Sequence, residues 1–141
     1  MRRLAALALF LAAGLNPAFG APPNDPLKSP MWGQMVASLM PDAPIVFDDR
    51  IKVIVPSVVE NQAQVPVTVD ARGVEGVQKL IVFADLNPLQ HVLTLTPSKA
   101  AAYISFRMKI EQATPVRAAG LTGDGTWHVG GVFLDAAGGG S

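Results

Sequence analysis

From Ile45 onward, apolar side chains recur at every second position, and proline, glycine or asparagine repeatedly interrupts the run. A period of two belongs to a pleated strand with one face in a core and one in water. The cleanest case lies at residues 103–111, where Ile104, Phe106, Met108 and Ile110 alternate with Ser105, Arg107 and Lys109. Ile51, Val53 and Val55 alternate with Lys52 and Ile54, and Val65, Val67 and Val69 with Pro66, Thr68 and Asp70. Residues 77–84 are apolar on both faces, as in the interior of a sheet. Residues 91–96 follow the turn Asp85-Leu-Asn-Pro88, and residues 114–121 and 126–134 flank the hairpin signal Thr122-Gly-Asp-Gly-Thr126. About seven short strands predict an all-β fold, an immunoglobulin-like β-sandwich. The chain has no cysteine, so the disulfide of antibody domains is missing.

Ahead of the strands, Met1-Arg-Arg-Leu gives a positive start, residues 4–15 an apolar stretch, and Ala18-Phe-Gly-Ala21 a small-residue cleavage site. These are the parts of a secretory signal peptide over residues 1–20, too short to span a bilayer stably. Almost nothing precedes Arg2-Arg3, so the general secretory route fits better than twin-arginine export. Export follows, with one domain at residues 21–137. After an extended leader, Ser29 is placed to cap a short helix, Pro30 suits its first turn, and Met31, Met35 and Leu39 share a face. Pro41 ends it. Met31, Met35 and Met40 have the sulfur chemistry to hold a soft ion such as Cu(I), but at this spacing methionines more often fill a core.

Net charge is zero and no basic stripe exists, which removes the electrostatic footprint of a nucleic-acid or anionic-membrane binder. No nucleophile elbow, phosphate loop or zinc spacing is present. His91 and His128 sit in different predicted strands, and Asp48-Asp49-Arg50 reads as a charge-balanced bend. The residues therefore point to a non-enzymatic protein without a cofactor.

Two features remain at the C-terminus. Val132 and Leu134 make the second face of the last strand apolar, so something covers it: a partner subunit, or the chain's own leader. Beyond it, Asp135-Ala-Ala-Gly-Gly-Gly-Ser141 has almost no side chains to pack and reads as a tether or a frayed end. Fully extended, it reaches about 24 Å beyond Leu134.

Several strings, in this order and spacing, resemble the SoxY domain of sulfur-oxidation carriers. They are Asp25-Pro-Leu-Lys-Ser-Pro-Met-Trp32, Asp42-Ala-Pro-Ile-Val-Phe-Asp-Asp-Arg50, Val82-Phe-Ala-Asp-Leu-Asn-Pro88, Ser105-Phe-Arg-Met-Lys109, Thr114-Pro-Val-Arg-Ala-Ala119, Gly125-Thr-Trp-His-Val-Gly-Gly131 and the terminal Asp135-Ala-Ala-Gly-Gly-Gly140. The likeness is greatest to the SoxYZ-like carriers associated with quinoprotein dehydrogenases. It implies a periplasmic carrier with a glycine-rich swinging arm at residues 138–141, here Gly138, Gly139 and Gly140. The family's arm bears a cysteine to which sulfur intermediates are attached, and redox enzymes receive them. Ser141 occupies that position, and the SoxZ-like domain implied as a partner does not follow it. A Cys-to-Ser replacement at a shortened end, or a fragment of a longer product, fits this better than a natural variant without the thiol. As written, the chain is expected to be inert in sulfur transfer. The alternative is a periplasmic binding module that recruits a dehydrogenase or a copper ion.

Overall fold

A computed structural model describes residues 22–97 and 101–135. It places one helix and eight strands in three layers. Helix α1 (Trp32–Leu39) precedes β1 (Ile45–Phe47), β2 (Lys52–Ile54), β3 (Val65–Asp70), β4 (Val77–Ala84), β5 (His91–Leu95), β6 (Tyr103–Met108), β7 (Thr114–Thr122) and β8 (Trp127–Leu134). Five strands form one sheet in the order β1-β8-β7-β4-β5, and three form the other in the order β2-β3-β6. The period-two reading holds on the three-stranded sheet. In β3, Val65, Val67 and Val69 are buried, and in β6 Tyr103, Ser105 and Arg107 face water.

The eighth strand is β1, which is only three residues long and pairs parallel to β8, Ile45 opposite Trp127. Every other pairing is antiparallel. The Thr122 turn closes as the sequence signal requires: Gly125 takes φ +86°, and Asp124 accepts hydrogen bonds from the Thr122 hydroxyl and the Thr126 N–H.

Two apolar clusters sit on opposite faces of the five-stranded sheet. Between the sheets, Leu80, Val82, Val116, Ala118 and Leu134 meet Val53, Val65, Val67 and Val69. On the outer face, Trp32, Met35 and Met40 meet Ile81, Phe83, Trp127 and Val129. Alternation along β4 and β8 feeds both, which is why neither strand has a polar face. Fully burying Trp32 or Met35 contributes on the order of 2 kcal/mol each.

The helix begins later than the sequence implies. Ser29 accepts a hydrogen bond from the Met31 N–H in a turn of its own, and no side chain caps α1 at Met31. Among the described residues no helix is long and apolar enough to cross a membrane.

Candidate functional site

The predicted arm residues Gly138, Gly139, Gly140 and Ser141, like the predicted signal peptide at residues 1–20, lie outside the described residues. What the structure describes is the strand end that precedes residues 136–141. Strand β8 ends at Leu134, opposite Thr114 on β7, and the exposed Asp135 follows.

A polar clasp builds this end of the sandwich. The Leu86 N–H donates to the Thr114 hydroxyl at 2.9 Å, and that hydroxyl donates to the Pro115 carbonyl. Asn87 donates from Nδ2 to the Lys109 carbonyl and accepts from the Glu111 N–H, both at 3.1 Å. Gln112 donates to the Leu86 carbonyl at 2.9 Å. These bonds take Lys109 and Glu111 out of the ladder, so β6 stops at Met108 and not at the predicted Glu111. Hydrogen bonds between the Asp85-Leu-Asn-Pro88 turn and the β6–β7 connection thus pin the rim beside the last residue of β8.

Strand β8 is held just as closely on its flanks. A methyl group at Gly130 would overlap the Ile51 carbonyl, and one at Gly131 would press on the Arg117 stem at 3.0 Å. The lack of a side chain at Gly130 is what lets the β1–β2 connection pass so close over this strand. Strand β1 covers its outer edge only as far as Val129, and from there a groove of about 650 Å³ runs past Leu27, Phe47 and Gly131.

Arg117, paired with Gly131 in register, is 1% exposed and gathers three distant segments. Its guanidinium donates to both oxygens of Asp25, at 2.8 and 2.7 Å, and to both of Asp85, at 3.0 and 3.1 Å. It also lies 4.5 Å from the centre of the Trp32 ring, whose indole N–H donates to the Pro23 carbonyl. Burial works against the charge of both Arg117 and Asp25. Their hydrogen bonds outweigh it, so the Arg117 pKa is raised and that of Asp25, which also accepts from the Ser29 and Leu27 N–H groups, is lowered. The cluster ties the leader to the sheet and to the Asp85 turn.

Asp48 binds the Arg50 guanidinium with both oxygens and accepts from the Arg50 N–H, and the ring Nδ1 of His128 lies 2.9 Å from it. The Arg50 side chain, opposed by partial burial and helped by the Arg50 N–H and His128, holds Asp48 well below the usual carboxylate range. This is the charge-balanced bend expected from the sequence. His91 is exposed and bonded to the Thr94 hydroxyl, far along the chain from His128. Among the described residues no group of three or more His, Cys, Asp or Glu side chains is placed to hold a metal. Met35 and Met40 are 1% and 0% exposed in the outer cluster, where their thioethers fill the core.

Val132 and Leu134 require a correction. Leu134 is 2% exposed in the core between the sheets, and Val132 packs against the same core. The cover on their face is the three-stranded sheet of the same chain, which buries Leu134 and leaves Val132 half-buried beside the groove at Gly131. The residue of that stretch turned outward is Phe133, 53% exposed.

Comparison with known proteins agrees with this architecture. A SoxY from Chlorobium limicola f thiosulfatophilum, solved as a sulfur carrier protein, superposes with a TM-score of 0.65 at 21% identity, over 74% of this chain and 94% of that one. No curated protein matches. The sequence model of the family described as sulfur oxidation protein SoxY matches residues 36–140, from within α1 through every strand and on to Gly140. The chain belongs to the SoxY family.

Proposed function

We propose that this chain is a periplasmic carrier module. A C-terminal arm would hold a covalently attached sulfur intermediate and present it to redox enzymes, with position 141 as the attachment point. The observation that carries this reading is the reach of the family match through β8 to Gly140, one residue short of Ser141. A tethered intermediate stays at high effective concentration beside each docked enzyme and need not be released and recaptured.

Sulfur is required at the tip. Joining thiosulfate to a thiol forms a sulfur–sulfur bond and releases one proton and two electrons, which the loading enzyme's acceptor takes up. A serine hydroxyl does not undergo this step. Ser141→Cys should restore it. The test supplies the variant with sulfur-labelled thiosulfate, a sulfur-oxidation enzyme and its electron acceptor. One label per chain, released by a thiol reductant, is expected, and none on the Ser141 chain. Absence of label on the variant overturns the reading.

The remaining parts of the proposal are a SoxZ-like partner, a quinoprotein dehydrogenase as one of the enzymes served, and export. For export, the charged start, apolar stretch and small-residue site of residues 1–20 are the support. N-terminal sequencing of the protein from a periplasmic fraction should begin near Ala21, and a sequence beginning at Met1 would contradict export with cleavage.

A further inference from the structure

Four arginines lie among the described residues, and three are held by aspartates: Arg50 by Asp48, Arg72 by Asp70, and Arg117 by Asp25 and Asp85. Arg107 is the exception. It points outward from β6, opposite Pro66 on β3, and forms no ion pair with any carboxylate among the described residues. Glu60 lines its larger groove and Glu111 its smaller one, where Glu111 pairs with Lys109 instead.

Arg107 also stands between two grooves. One, of about 540 Å³, is bounded by the β2–β3 connection and contains Val58; the other, of about 350 Å³, is bounded by the β4–β5 turn and contains Leu89. Leu89 and Val58, 74% and 60% exposed, are the two most exposed large apolar side chains among the described residues. Arginine is among the side chains that most often anchor an interface, and here unburied apolar groups flank it on both sides. On an isolated domain, each of these features lacks a stabilising partner.

The smaller groove shares its wall with the arm's base. Asn87 lines it while clasping Lys109 and Glu111, and Leu86, next in the chain, is bonded to Thr114 opposite Leu134. An enzyme receiving a tip at residue 141 must sit within the arm's extended length of Leu134, about 24 Å.

We infer that the surface around Arg107, with Val58 on one side and Leu89 on the other, docks a segment of the redox enzyme that serves the arm, and that this segment presents one carboxylate between two apolar side chains. The inference rests on the carrier reading for the identity of the enzyme. The recognition chemistry rests on the surface itself: a carboxylate completes the bidentate pairing that the other three arginines already have, and apolar side chains fill the grooves.

The test uses the full chain, immobilised, and a purified sulfur-oxidation enzyme that accepts thiosulfate, with binding measured directly. Arg107→Glu should weaken binding about tenfold or more, and Val58→Ser and Leu89→Ser each severalfold. Arg72→Glu, an equal charge reversal in the β3–β4 turn, should change it less than about twofold. All four positions are exposed, so matching unfolding midpoints separate docking from folding. No binding by the unaltered chain, or equal losses for Arg107→Glu and Arg72→Glu, overturns the inference. Loading of Ser141→Cys without Arg107-dependent binding would leave the carrier reading intact and the docking surface wrong. Arg107-dependent binding without loading would do the reverse.

Discussion

Arg117 and Asp25, 92 residues apart, meet through two hydrogen bonds of 2.8 and 2.7 Å beneath the leader. The pair is nearly dry, with side chains 1% and 7% exposed, whereas Arg50 in the Asp48 pair is 56% exposed. Removing one partner of a buried pair leaves an uncompensated charge, while an exposed pair has water as an alternative. Asp25→Ala should therefore cost about 3 kcal/mol, because Asp85 still holds the arginine, and Arg117→Ala about 3–5 kcal/mol. Arg50→Ala should cost far less than either. Urea unfolding midpoints check the order, and equal costs for Asp25→Ala and Arg50→Ala would contradict it.

Four carboxylates share a direction of shift, Asp124 through the Thr122 hydroxyl and the Thr126 N–H, and three through arginines. Asp25 and Asp48 are lowered, and Asp70 is lowered to about 2, chiefly by the Arg72 side chain and then by the Arg72 N–H. A carboxylate with a lowered folded pKa contributes stability that is complete above its unfolded value, here 3.8, and is lost as pH falls through the folded value. The melting temperature should thus hold steady from neutral pH to about 5 and fall progressively below about 4. Asp25→Asn should remove part of that fall. A melting temperature unchanged down to pH about 2.5 would contradict the assignment.

Two glycines should respond in opposite ways to alanine. Gly130 lies under the Ile51 carbonyl, which is backbone and has little room to yield, so Gly130→Ala should destabilise by about 1–3 kcal/mol. Gly33 lies in α1, exposed and with nothing within 4 Å of an added methyl group. Gly33→Ala should stabilise by about 0.5 kcal/mol, from helix propensity and a smaller unfolded ensemble. Melting curves of the two variants compare them directly, and shifts of the same sign would contradict the packing described.

Local pattern carried most of the strands, because alternation within one strand already decides which side chains meet a core. Residues 103–108 follow it closely, and the Thr122 turn is specified by its two glycines. Strand β1 was not legible: three residues carry too little periodicity, and the pairing that makes them a strand comes from β8, some eighty positions later. The apolar second face of β8 was visible, but not what covers it, since the answer lies in β2 and β3. The Arg117 cluster was equally hidden as a whole. One signal was present, a charged residue inside the apolar run at 114–121, which has to find partners when its strand is central. Arg107 read as an ordinary outward residue, and only the pairing of the other arginines sets it apart.

The central claim, that position 141 is where cargo is attached, is tested most directly by peptide mapping of Ser141→Cys after incubation with thiosulfate, a sulfur-oxidation enzyme and its electron acceptor. The account predicts a single thiosulfate adduct on the C-terminal peptide, absent from every other peptide and from the Ser141 chain. A C-terminal peptide that stays unmodified while the enzyme turns over would contradict it.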